Sequence, residues 1–269
     1  NNVDDPKMTL RDLFGDMMDS NAFDGVIAGV GGTMSCKSEK ELSSIISVAV
    51  EQTSFLDSKP MRDHLSGSDL PTLRILKQHP TTIYLVLPAS RIATHSRWLR
   101  TIITLAMVAL ENEPHTMDDP VLFILEEFPQ LGYMRQLEAA AGLMAGYDVK
   151  LWTVMQDLTQ IKALYRDSWE TFIGNAGIVE AFGNTDSTTL EYLSKRLGNT
   201  LSQQIQPNNP NIQQQGGGDG KERETIITVP LMAPHEIALG FARDKQNKLV
   251  MLAGEPPFPV RRIFWKDLL

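Results

Sequence analysis

The spacing of apolar positions changes twice along this chain, and each change predicts a different kind of element. From residue 8 to about 65 the spacing is helical. Thr9 is placed to cap a helix carrying Leu10, Leu13, Phe14, Met17 and Met18, with Asp12 in the capping-box position three residues on. Gly29, Gly31 and Gly32 interrupt that pattern, and Ser38 opens a second helix with Leu42, Ile45, Ile46 and Val50 on one face, running toward Phe55. This stretch reads as a small helical subdomain without catalytic chemistry.

After a connector punctuated by Gly67, Pro71 and Pro80, the pattern becomes one of short apolar runs between longer helical ones. Thr81 to Leu87 reads as a strand, rich in β-branched and apolar residues and ended by Pro88. A helix is expected from about Ile92 to Leu110, nearly all apolar after Arg100 and therefore well buried. Arg97 and Arg100 near its start read as solvated or acid-paired rather than as phosphate ligands. Val121 to Leu125 is an unbroken apolar run, the signature of a strand buried on both faces. A helix from Arg135 to about Ala145, a strand from Val149 to Gln156, a short helix from Asp157 to Leu164, a second over Trp169–Phe172 and a strand over Gly177–Phe182 follow. Asp186 or Ser187 then caps a helix that stops at Gly198. That alternation implies a parallel sheet with helices on both faces. Residues 203–224 are Gln-, Asn- and Gly-rich and read as a mobile loop. Thr225–Val229 is strand-like, Pro234–Phe241 a short helix, and Lys248–Leu252 and Val260–Trp265 the last strands.

Composition narrows the classes. Of 269 residues, 42% are hydrophobic and 22% charged, ordinary values for a globular protein. The net charge of −8 gives no support for a surface that coats nucleic acid, although a local basic loop stays compatible with it. The single cysteine, Cys36, cannot form an internal disulfide, and the five histidines have no metal-ligand spacing. No apolar run approaches the roughly 20 residues of a membrane span. The first residues, Asn-Asn-Val-Asp-Asp-Pro-Lys, are polar and lack an initiator methionine, so we expect a part of a longer protein, with any anchor upstream.

The candidate chemistry lies at strand ends. Glu126 and Glu127 follow directly on Val121–Leu125, where ligands bind in open α/β sheets. An acid there holds Mg²⁺ in P-loop NTPases, and a neighbouring carboxylate can orient water. The plain alternative is a buried strand ending in solvated acids, and the residues alone leave both readings open. Gln156 ends the next strand, and Asn184 and Asp186 follow the one after. A glutamine amide can both donate and accept near a γ-phosphate. By spacing alone, however, Gln156 reads as a strand-end polar group that caps the following helix, and Asn184 as a plain strand-end polar group. No Gly-x-x-x-x-Gly-Lys-Ser/Thr occurs, and Gly216–Lys221 has the wrong glycine spacing, with Glu222 where a hydroxyl is needed.

Taken together, three motifs resemble the VirD4/TraG type IV secretion coupling proteins. They are Phe123-Ile-Leu-Glu-Glu-Phe-Pro-Gln-Leu-Gly132, Trp152-Thr-Val-Met-Gln-Asp-Leu-Thr-Gln-Ile161, and Phe182-Gly-Asn-Thr-Asp-Ser-Thr-Thr-Leu-Glu-Tyr-Leu-Ser-Lys-Arg-Leu-Gly198. The resemblance covers residues 45–202 well and the tail loosely. It implies a RecA-like P-loop NTPase α/β fold, a parallel sheet flanked by helices, with part of an inserted all-α domain at residues 1–62 and the nucleotide-binding portion at 63–269. It also implies ATP and Mg²⁺ as cofactors, with Glu126 as the metal-side Walker B acid, Glu127 as the catalytic carboxylate and Gln156 as the glutamine of the third motif. The partners it implies are a relaxase–DNA complex or secreted effector proteins, single-stranded DNA, type IV secretion channel components and a homo-hexamer. The location it implies is the cytoplasmic side of a bacterial inner membrane, with the Walker A loop outside these residues. On that reading the 269 residues by themselves do not hydrolyse ATP. Glu126 departs from the more usual aspartate, and Ala145-Gly146-Tyr147 offers no arginine finger. The competing expectations are a non-catalytic cargo-recognition module and a related hexameric DNA translocase.

Overall fold

A computed structural model describes residues 9–67, 72–114, 116–206 and 223–267. The chain divides into two compact units. The first comprises residues up to 70 together with Ala89–Trp98, and the second Pro71–Pro88 together with Leu99–Leu269.

The first unit is helical, as its apolar spacing requires. Helix α1 (Leu10–Met18) is closed by the expected capping box: the Thr9 hydroxyl accepts from the Asp12 backbone N–H and the Asp12 carboxylate accepts from the Thr9 N–H. Helix α2 (Val26–Ser35) contains the three glycines expected to break the pattern. The expectation fails because Gly31 is where α2 meets α1: a Cβ there would stand 2.8 Å from the Met17 Cβ and 2.9 Å from the Phe14 carbonyl oxygen. Close approach of two helices, not a turn, accounts for that glycine. Helix α3 (Glu39–Thr53) has a second capping box, Ser38 with Glu41. Helix α4 (Lys59–Leu65) buries Met61. The start of helix α5 (Ala89–Glu111) adds Arg97, which pairs with Glu51 at 2.7 Å and Gln52 at 2.8 Å, so this arginine is engaged within the unit.

The second unit is built on two parallel strands, β1 (Val121–Leu125) and β2 (Val149–Thr153), in register from Val121 opposite Val149 to Leu125 opposite Thr153. The rest of α5, helix α6 (Arg135–Leu143), helix α7 (Leu158–Tyr165) and helix α8 (Thr171–Gly174) supply the core against them: Ile103, Met107, Leu110, Leu137, Ile161 and Phe172 are buried with Val121, Leu125 and Val149. Each such side chain contributes roughly 1.5–3 kcal/mol on burial. Among the described residues, helices cover one face of this strand pair, where cover on both was expected. Alternate residues on the other face stay open: Leu122 is 49% exposed, Ile124 55% and its cross-strand partner Trp152 54%. Helix α5 is likewise one-sided, with Leu105 and Val108 half exposed where uniform burial was expected.

Thr81–Leu87 forms neither a helix nor the expected strand. Its burial alternates as a strand's does, with Leu85 against the core and Tyr84 and Val86 exposed, yet no backbone ladder forms. Pattern sets which side faces in; a strand also needs a hydrogen-bonding neighbour. Lys77 lies in the preceding 3₁₀ turn, Leu73–Lys77. It is buried, and its Nζ donates to the carbonyls of Leu110 (2.6 Å) and Glu113 (2.9 Å), closing the C-terminus of α5.

Strand β3 (Ile178–Ala181) does not join β1 and β2, so the three adjacent parallel strands expected from the sequence are not formed. It pairs antiparallel with β6 (Asn247–Leu252), which pairs antiparallel with β7 (Phe258–Arg261), a final strand four residues shorter at its end than the expected Val260–Trp265. Helix α9 (Ser187–Leu197), capped by Asp186 and ended at Gly198, packs with helix α10 (Pro234–Gly240) in a second core of Leu190, Leu193, Ile237, Phe241, Leu249 and Met251. Between these two helices, β4 (Asn199–Gln206) and β5 (Arg223–Pro230) form an antiparallel hairpin. The low-complexity run thus begins and ends in strand; residues 207–222, the body of the expected mobile loop, lie outside the described residues.

Candidate nucleotide site at the strand ends

The β1–β2 ladder continues past both strands. The Val154 N–H donates to the Leu125 carbonyl at 3.0 Å, and the Phe128 N–H donates to the Val154 carbonyl at 2.9 Å. This draws the Glu126–Glu127 turn beside Met155 and Gln156. Glu127 adopts a left-handed backbone, φ 49° and ψ 43°, which costs a non-glycine residue on the order of 1 kcal/mol and persists only where its surroundings impose it. Those surroundings are visible. Phe128, Pro129 and Leu131 are buried immediately after it, and the Phe128 ring packs on Phe172 (5.1 Å between centroids) and Tyr165 (5.8 Å). Burial pushes the Tyr165 phenol up to about 12, and the Met134 N–H donates to its oxygen at 3.3 Å. Arg100 donates to the Tyr133 carbonyl at 2.9 Å, so it braces this turn and is not a free cation.

The Gln156 Nε2 donates to both oxygens of the Glu127 carboxylate, at 3.2 and 3.1 Å. Helix capping, the plain reading of Gln156, falls to Asp157, whose Oδ1 accepts from the Gln160 N–H. Asn184 is brought in from the far side: its Nδ2 donates to the Gln156 carbonyl at 3.2 Å. Asp186 is occupied as the cap of α9 and also accepts from the Thr159 hydroxyl at 3.5 Å. The Leu158 N–H donates to the Thr189 hydroxyl at 2.9 Å, a second tie between the loop after β2 and the start of α9. Three chain segments therefore meet at one edge, linked Glu127–Gln156–Asn184.

Glu126 is exposed, and its carboxylate makes no hydrogen bond or ion pair among the described residues. No group of three metal-ligating side chains occurs among them either. That donor set fits magnesium bound through one carboxylate, waters and substrate phosphates, and not a cation caged by protein. Arg243 was not singled out in the sequence. It lines a cleft beside Asn184, and its place in a short polar Arg-Asp-Lys run gives no local signal of that position.

Among the described residues no helix is long and apolar enough to cross a membrane. Residues 6–267 match the family described as type IV secretory system conjugative DNA transfer. A probable conjugal transfer protein TraG of Sinorhizobium fredii is 27% identical over 266 residues, 98% of this chain and 40% of the relative. Protein VirD4 of Agrobacterium fabrum is 25% identical over 198 residues, 70% of this chain and 28% of the relative. The chain thus spans about 40% or less of the length of these curated relatives. The plasmid coupling protein TrwB, solved with the ATP analogue ADPNP, superposes with a TM-score of 0.67 at 14% identity, over 95% of this chain and 55% of TrwB. TrwB solved with ADP and Mg²⁺ gives 0.64. The fold is therefore the mixed α/β fold of TrwB, with its parallel sheet and helices, and the chain belongs to the type IV secretory system conjugative DNA transfer family.

Proposed function

We propose that this chain is the Walker B-bearing part of a conjugative coupling ATPase, one that couples ATP hydrolysis to delivery of DNA or protein cargo into a type IV secretion channel. The observation that carries the reading is the bidentate contact of Gln156 with Glu127 at the ends of two parallel strands. Family membership and the nucleotide complexes of TrwB support it. In this reading Glu126 would hold Mg²⁺ together with the nucleotide, and the ion would supply neutralisation of the phosphate charge. Glu127 orients the attacking water and accepts its proton. Gln156, whose amide donates to the Glu127 carboxylate, would exchange that partner for a γ-phosphate oxygen. A phosphate loop is not among the 269 residues and comes from the rest of the coupling protein. The working assembly is a homo-hexamer on the cytoplasmic face of a bacterial inner membrane. It receives a relaxase–DNA complex or an effector and tracks single-stranded DNA through phosphate contacts.

The test is steady-state hydrolysis by the intact coupling protein. Glu127→Gln is expected to lower kcat by about 10²–10⁴-fold, with KM for MgATP little changed. Unaltered kcat in that variant rejects the role of Glu127, and absence of MgATP hydrolysis by the unsubstituted intact protein rejects the ATPase reading.

A further inference from the structure

Glu127 and Gln156 are both exposed, and an exposed glutamine has other rotamers open to it. Whether its amide meets the carboxylate is therefore set by where the two backbones are placed. Phe128 and its aromatic neighbours place Glu127. The backbone around Gln156 is tied to a different part of the unit. The Gln156 carbonyl accepts from the Asn184 Nδ2 at 3.2 Å, and two residues later the Leu158 N–H donates to the Thr189 hydroxyl at 2.9 Å. Both partners come from one short segment, residues 184–189, that runs into the start of α9.

Thr189 is built for that contact. It is 5% exposed and shares the inward face of α9 with Leu190 and Leu193, where an apolar residue would fit the core equally well. Its hydroxyl meets a donor that α7 cannot satisfy by itself. Leu158 is the first residue of α7, and its N–H is one of the four that a helix start leaves without an intrahelical acceptor. Asp157, the cap of α7, is occupied elsewhere: its Oδ1 accepts from the Gln160 N–H at 3.0 Å. Thr189 is itself fixed, because its N–H donates to the Asp186 Oδ2 at 2.8 Å. The same Asp186 oxygen accepts from the Thr159 hydroxyl at 3.5 Å, so the two helix starts are joined twice.

We propose that Thr189 and Asn184 are positioning residues of the strand-end site: they hold the backbone at Gln156 and Leu158 so that the Gln156 amide meets the Glu127 carboxylate. Both act through Gln156, one from each side of it in the chain. The segment that carries them follows β3, whose sheet with β6 and β7 is not hydrogen-bonded to β1 and β2. The site thus depends on a part of the unit that its own two strands do not reach, and a one-sided view of the β1–β2 edge would miss it. The kinetic consequence rests on the ATPase reading; the hold on the Gln156 backbone does not.

The experiment uses the intact coupling protein and two readouts. Hydrogen–deuterium exchange, followed by mass spectrometry without turnover, reports the peptide over residues 155–161. Thr189→Val keeps the shape and loses the acceptor, so exchange there is expected to rise about fivefold, while Val121–Leu125 keeps its protection. MgATP turnover is the second readout. Thr189→Val should lower kcat about tenfold, the effect of a misplaced catalytic group, and leave KM within about twofold. Thr189→Ser, which restores the hydroxyl, should restore both readouts. In a Gln156→Ala background Thr189→Val should lower kcat no further, because its effect passes through Gln156. Asn184→Ala, outside the buried core, runs the same cycle should Thr189→Val not fold. Unchanged exchange in Thr189→Val overturns the proposal, and so does raised exchange with unchanged kcat. An equal fall in kcat with and without Gln156 overturns it as well, since the threonine would then serve the fold alone. If the unsubstituted protein does not hydrolyse MgATP, the ATPase reading falls, and exchange over residues 155–161 still decides whether Thr189 holds the Gln156 backbone.

Discussion

At the scale of single residues, two buried polar groups of the second unit, Lys77 and Tyr165, were not identifiable from the sequence. Lys77 looks like any surface lysine in a polar connector. It is buried with its ammonium donating to carbonyls at and just past the end of α5. Lys77→Met should cost about 2 kcal/mol, since two carbonyls lose their donor, and a denaturant titration of the purified chain would show it. Tyr165 is the second such group. Its phenol is pushed from 10.0 to about 12, chiefly by burial. A raised folded-state pKa gives stability that is fully present below the unfolded value and is lost as pH rises through the folded one. Unfolding free energy should therefore hold up to about pH 10 and fall between about pH 10 and 12, and Tyr165→Phe should flatten that fall. A Tyr165→Phe variant with the same alkaline slope would assign the transition to another group.

At the scale of elements, the local codes were the most legible part of the chain. Thr9 with Asp12, Ser38 and Gly198 read correctly as helix ends, and of the two candidates Asp186 and Ser187 the cap is Asp186, because a cap needs only residues three or four apart in sequence. Asp186→Ala is expected to lower stability by about 1 kcal/mol through loss of the α9 cap, measurable as a drop in thermal midpoint. The glycines of α2 misled for the complementary reason: Gly31 answers to Met17 and Phe14 on another helix, which no window on α2 contains. Gly31→Leu should force α1 and α2 apart and cost about 1–3 kcal/mol, whereas Gly29→Ala, with open space around it, should be neutral or stabilising. Equal thermal midpoints for these two variants would contradict the close approach. The candidate site was legible to the same extent. Glu126, Glu127 and Gln156 could be picked out as strand-end groups, but whether Gln156 capped a helix or held Glu127 depended on the neighbouring strand.

For the molecule as a whole, the described residues leave one face of the β1–β2 sheet bare, with Leu122, Ile124, Trp152 and Val154 outward. A contiguous apolar face of this kind marks an interaction surface or an aggregation liability. The isolated chain should bind a hydrophobic dye strongly, and Ile124→Thr with Trp152→Thr should reduce that binding while the far-ultraviolet circular dichroism stays the same. Undiminished dye binding in the double variant would place the exposed apolar surface elsewhere. The sequence by itself determined the alternation of helices and short strands, the caps, the acidic strand end and, through three ordered motifs, the family. All of these are recorded in residues close together along the chain. Only the tertiary structure decided that β3 pairs with β6 and not with β2, that Thr81–Leu87 stays unladdered, that Lys77 is a cap, and that Asn184 and Arg243 flank one cleft. Strand partners and cleft walls are chosen by hydrogen bonding and packing between residues far apart in the chain, and local spacing carries no record of that choice.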